Sequence, residues 1–130
     1  MNSEIYWTLF NANAIKWGSK LLVVLHECGE TVQEGKLAMV LAWIYDRQNK
    51  YVEARESYER AATIMRETGN KQGEAFAYSC LGRVSRYLSE YIKAKEYHEK
   101  SLAITMEIGD RAGEARVYGN LGTEIGRAHV

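Results

Sequence analysis

Three histidines, two cysteines and scattered carboxylates are the residues equipped for chemistry in this chain. His26, Glu27 and Cys28 put three metal-ligating types side by side. Consecutive residues on a helix do not face each other, so the triplet does not converge on one ion. His98 falls on an inward helical face where Tyr58 stands forty residues earlier, and reads as a packing residue. Cys28 and Cys80 lie far apart with no neighbouring base, and read as small, half-buried side chains. Glu53 and Glu56 pair two carboxylates, but on a charged outer face that water solvates. Gly119 and Gly122 lack the preceding strand and the Gly-Lys-Ser/Thr ending of a phosphate loop. No nucleophile, base and orienting group come together. The expectation is a protein that is not an enzyme and uses no metal or cofactor.

Composition narrows the remaining classes. The chain has 130 residues, 46% hydrophobic and 26% charged, within the range of a soluble globular domain. Seventeen basic residues balance seventeen acidic ones, so no global field steers it to nucleic acid or an anionic membrane. Its longest strongly apolar run, Leu21 to Leu25, is too short for a membrane span. Glu4 and the lack of a basic residue before the first apolar stretch make a poor signal peptide. Two unclustered cysteines suit a reducing compartment. These features point to a soluble, cytoplasmic protein.

The elements that position these residues follow from an internal repeat. Gly69-Asn70-Lys71-Gln72-Gly73-Glu74-Ala75 recurs as Gly109-Asp110-Arg111-Ala112-Gly113-Glu114-Ala115, an offset of 109 − 69 = 40. Tyr51, Ala54, Glu59, Ile64, Tyr78, Leu81 and Gly82 recur at the same offset. Gly29, Glu34 and Leu41 hold the register one period earlier, and Ala14 aligns with Ala54. Each period reads as two helices. Tyr51, Ala54, Tyr58, Ala61, Ala62 and Met65 form one face of a 3.6-residue helix. Ala75, Tyr78, Leu81 and Val84 form a face of the next. Charged residues, among them Arg55 and Arg60, fill the outside. The absence of proline leaves every helix uninterrupted. Turns are expected near Gly29, residues 47–50, Gly69, Ser89 and Gly109, with Asn70 and Asp110 as N-caps.

Leu81-Gly82 followed by Tyr91, Ala94, His98 and Ser101 resembles the tetratricopeptide repeat, in which small residues let paired helices cross closely. Leu41, Ala42, Tyr45, Tyr51, Ala54, Tyr58 and Ala61 supply the preceding unit. The spacing is longer than the usual 34 residues and is similar to that of Pins-type adaptors and related long arrays. The resemblance implies an all-α, right-handed superhelical solenoid of antiparallel helix pairs. It divides residues 1–123 into a partial unit 1–29, a unit 30–69, a unit 70–109 and a partial unit 110–123. Neither end reads as a polar cap, so the array is expected to be a fragment of a longer one. Beyond Thr123 the repeat stops matching. Residues 124–130 back-translate to a common sequencing adapter and are expected to be a non-native tail.

In the related repeats, first helices line a concave groove. Carried over, that groove takes Lys36, Met39, Val40, Trp43 and Arg47 from one unit. The next unit gives Phe76, Ser79, Cys80, Arg83, Arg86 and Tyr87, and the last gives Arg116, Gly119 and Asn120. Arg116 with Asn120 is similar to the arginine–asparagine pair that Pins-type repeats turn toward peptides. Phe76 and Cys80 replace that pair one unit earlier. The expected function is a non-catalytic scaffold that binds a partner protein or peptide, of acidic character, without nucleic acid or membrane insertion. A second reading is a regulatory array in a larger signalling or protease-like protein. The sequence does not name the partner or the oligomeric state.

Overall fold

Five turns punctuate the chain, and each closes in the same way. Glycine at positions 29, 69 and 109 takes a left-handed φ of 71–75°. Asn49 and Ser89 hold the same conformation at φ 60° and 61° in the two turns without glycine. At each turn the residue after the left-handed one donates its amide back to the carbonyl five residues earlier, as Glu30 does to Leu25 and Asp110 to Thr105. These bonds satisfy carbonyls that a helix end would leave bare. Asn70 and Asp110 then cap the next helix, each accepting the amide of the residue three positions on at 2.9 Å.

A computed structural model describes the backbone of residues 3–128, with side chains through Gly122. Six helices follow in order: α1 Ser3–Glu27, α2 Thr31–Arg47, α3 Tyr51–Glu67, α4 Lys71–Tyr87, α5 Tyr91–Glu107 and α6 Arg111–Ala128. Each packs on its sequence neighbours, which makes an all-α solenoid of antiparallel pairs with no strand among the described residues. The helix α6 continues past Thr123, where the repeat stops matching, as far as Ala128. The side chains of the expected tail, and His129 with it, lie outside the described residues.

The core runs along the axis between successive helices. The α3 face expected from periodicity is inside: Ala54, Tyr58, Ala61, Ala62 and Met65 are buried. Ala75, Tyr78, Leu81 and Val84 of α4 pack against it. Burying a side chain of the size of Leu81 or Val84 stabilises by roughly 1.5–3 kcal/mol. His98 is 2% exposed, as a packing residue should be. Its ring lies so close to Gly82 that a Cβ there would stand 2.5 Å away. On α1 the register places Gly18 where α3 has Tyr58, and Leu41 fills the space from α2.

Two expectations are corrected here. Arg55 and Arg60 do not simply fill a solvated outer face. Arg55 is bonded to Glu90, and Arg60 holds the buried carboxylate of Glu34, which also meets His26. Both arginines tie one helix to a neighbour, because their long side chains reach across the inter-helix seam. Cys28 is exposed in the first turn rather than half-buried, whereas Cys80 is fully buried.

Candidate functional site

Three hollows that share lining residues lie along α2, α4 and α6. The first, about 490 Å³, is walled by Trp7, Phe10, Asn11 and Ala14 of α1 and by Val40, Trp43, Ile44 and Arg47 of α2. The second, about 260 Å³, lies between Trp43, Asp46, Arg47, Asn49, Tyr51, Arg83 and Tyr87. The third, about 280 Å³, is walled by Phe76, Ser79, Cys80, Arg83, Arg86, His98, Arg116 and Asn120. Trp43 and Arg47 are shared by the first two, and Arg83 by the last two.

Helical spacing accounts for the alignment. Trp43 and Arg47 are four apart on α2, as are Arg116 and Asn120 on α6 and Phe76 and Cys80 on α4, so each pair shares a face. Eleven of the expected groove residues thus wall these hollows: Val40, Trp43, Arg47, Phe76, Ser79, Cys80, Arg83, Arg86, Tyr87, Arg116 and Asn120. Lys36, Met39 and Gly119 wall none of these hollows. Lys36 is exposed further up α2, and Met39 packs against the core.

The aromatic walls are held open by their own contacts. Trp43 is 51% exposed, with the Arg47 guanidinium 4.8 Å from its ring centroid. Tyr87 stacks on Tyr51 at 4.8 Å with the rings nearly parallel, and Arg86 lies over it. Stacking covers one face of Tyr87 and leaves the residue half exposed.

Arg83 has a different role from the one its position suggests. Its guanidinium forks onto both carboxylate oxygens of buried Asp46, which also accepts the Tyr58 hydroxyl at 3.0 Å. The ion pair more than offsets the burial of Arg83 and pushes its pKa up. Burial, with Cys80 and Asp46 beside it, pushes the Tyr58 hydroxyl up as well. Replacing Arg83 with glutamate would set two carboxylates together, so the substitution is not neutral to folding. Below the groove floor, Ser101 donates to the Ala75 carbonyl and meets Ser79, both at 2.8 Å. Burial pushes the Cys80 thiol up, away from reactivity.

Sequence reasoning missed the α1 wall. Trp7, Phe10 and Ala14 are spaced i, i+3 and i+7, a signal that was present but lay outside the first-helix rule. It also missed the burial of Asp46. Among the described residues no cluster of His, Cys, Asp or Glu is suited to a metal, and no helix is long and apolar enough to cross a membrane.

Residues 38–72 match the tetratricopeptide repeat family, a stretch covering the latter part of α2, all of α3 and the start of α4. A comparison with curated proteins finds no match. Among solved structures, BtubC from P. vanneervenii is 21% identical at a TM-score of 0.81, over 92% of this chain and 50% of its own. The apo form of RapI is 18% identical at 0.81, over 95% of this chain and 45% of its own. A signal transduction ATPase with numerous domains and a tetratricopeptide repeat sensor, from Pyrococcus horikoshii, is 23% identical at 0.74, over 88% and 18%. The chain therefore spans half or less of each of these proteins.

Proposed function

We propose that this chain, a tetratricopeptide-repeat solenoid, is a non-catalytic cytoplasmic scaffold that binds an extended acidic peptide of a partner protein along its concave groove. The observation that carries the reading is the row of hollows linked through Trp43, Arg47 and Arg83. A row of that kind matches an extended chain better than a compact substrate. Arg47 and Arg116 supply positive charge, and Asp46, which walls the second hollow, is already engaged by Arg83. Two free cysteines fit a reducing compartment.

The test uses groove variants that leave the core intact. Trp43→Ala and Arg116→Glu should each weaken binding of an acidic partner peptide about tenfold or more, the usual scale of a desolvated anchor. Lys95→Glu, an exposed residue on α5, should change affinity less than about threefold. Binding to the wild type should weaken as salt rises, because part of it is charge pairing. Loss of binding in Lys95→Glu alone, with both groove variants unaffected, would place the contact surface elsewhere.

A second reading has specific support. The Pyrococcus horikoshii neighbour is described as carrying its tetratricopeptide repeat as a sensor, and this chain spans 18% of it. In that reading the groove here is the sensory part of a larger signalling protein. Sequencing the parent transcript on both sides would reveal or exclude an attached catalytic domain.

A further inference from the structure

We propose that a fourth hollow, set where the N-terminal ends of α4 and α6 meet the C-terminal half of α5, binds a free α-amino acid by both its ammonium and its carboxylate. The hollow measures about 470 Å³, within the range of ordinary ligand pockets, ~300–1,000 Å³. It shares only Phe76 and Arg116 with the third hollow of the groove, and it can fill whether or not the groove holds a peptide.

Its wall is polar where the preceding unit is apolar. At the forty-residue offset Gln72, Ser101 and Thr105 stand in place of Val32, Ala61 and Met65. Met65 is buried, with its sulfur so near Gly73 that a Cβ there would stand 2.6 Å away. Thr105 is shorter and does not fill the same space. Its hydroxyl donates to the Leu102 carbonyl at 2.9 Å, which leaves the oxygen able to accept. Three exchanges of apolar for polar side chains around one hollow weaken a core and suit a polar occupant.

Charge names the occupant. Asp110 and Arg116 both wall the hollow, and neither takes part in an ion pair among the described residues. One Asp110 oxygen accepts the Gly113 amide at 2.9 Å, and the other has no partner among those residues. The two residues are six positions apart, about 9 Å along the helix axis. Two charge-assisted hydrogen bonds of about 2.8 Å each leave room between them for one α-carbon bearing an ammonium and a carboxylate. Asp110 meets the ammonium, and the Arg116 guanidinium forks onto the carboxylate. An anion alone would face Asp110, and a cation alone would face Arg116; a ligand of both signs satisfies both. Phe76 is 52% exposed and offers its ring to the side chain of the amino acid.

The L-amino acids of proteins, each added to the full chain at millimolar concentration, test this by thermal shift, with calorimetric titration of the best one. At least one should raise the melting temperature, as any ligand of the folded state does. Its N-acetyl derivative lacks the positive charge and its amide lacks the negative one, and each should bind about tenfold more weakly or worse. Asp110→Asn removes the charge and keeps a cap of the kind Asn70 gives α4, so the helix should persist while affinity falls about tenfold or more. Thr105→Met restores the side chain of the preceding unit and should abolish binding by filling the hollow. Trp43→Ala, outside this hollow, should bind the amino acid as wild type. If no amino acid raises the melting temperature, the site does not exist. Equal binding of the N-acetyl derivative would make the hollow an anion site, and equal binding of the amide a cation site; either result overturns the assignment. So would wild-type affinity in Asp110→Asn, or in a Thr105→Met protein whose circular dichroism matches the wild type.

Discussion

Asp46 sits at the junction of α2, α3 and α4, 6% exposed and bonded to residues from both of the other helices. A buried carboxylate in that position is tolerated because Arg83 and Tyr58 satisfy it; removing one partner leaves a desolvated charge. Asp46→Asn and Arg83→Gln are each expected to cost about 2–4 kcal/mol, and the double variant less than their sum. Urea unfolding measures this, and single variants of wild-type stability would mean that water already solvates the pair. His98 is the other residue whose environment sets its chemistry. Burial, helped by the Arg86 charge, holds its imidazole down at about 4 against an ordinary 6.5. The folded state therefore favours the neutral ring. That stability is complete above about pH 6.5 and is lost as pH falls toward 4, to a total of about 3 kcal/mol. Glu34 behaves in the same direction at lower pH. Burial alone would raise its carboxyl, but Arg60 and His26 outweigh burial and hold it below its ordinary value. Its contribution is present above the ordinary value and lost as pH falls through the depressed one. Unfolding midpoints between pH 7.5 and 4.5 should decline in the wild type and decline less in His98→Gln. Parallel slopes for the two proteins would assign the decline to other groups.

Helix pairs in this chain depend on how closely backbones approach, and the glycines mark where that is tight. Gly82 and Gly122 occupy the same repeat position, yet their surroundings differ. A Cβ at Gly82 would meet the His98 ring at 2.5 Å, whereas at Gly122 it would meet nothing within 4 Å among the described residues. Gly82→Ala should therefore destabilise by about 1–3 kcal/mol through overpacking. Gly122→Ala should stabilise by up to about 1 kcal/mol, the helix propensity difference with no clash to oppose it. Melting temperatures shifting in opposite directions would support this account, and a shared direction would contradict it. Ala54 and Ala94, the small residues repeated on α3 and α5, are each fully buried.

A solenoid is stabilised by contacts between neighbours, so its members need not share one stability. Helix α1 has α2 as its main neighbour and buries none of its residues, while α3 and α4 are flanked on both sides and carry most of the central cluster. Amide hydrogen exchange should proceed first in α1 and last in α3 and α4. Uniform protection along the chain would indicate a single cooperative unit instead.

Much of this architecture was legible in the residues themselves. The forty-residue register of Gly69 with Gly109, and of Ala54 with Ala94, placed the turns and the inward faces, because turn conformation and helical periodicity are local properties of the chain. The same register put Trp43, Arg83, Arg116 and Asn120 on first helices. Helical spacing cannot say which charged residue is spoken for. Arg55, Arg60 and Arg83 all look like surface arginines, and each is committed to a carboxylate 26 to 37 residues away. Glu34 and Glu74 recur visibly, yet their burial follows from the helix stacked over them. The α1 wall likewise exists only once α1 lies against α2. Sequence alone determined which helices form and which stripe each turns inward. Tertiary structure decided which polar groups pair across the stripes, since those pairings rest on distances between helices that no single helix contains.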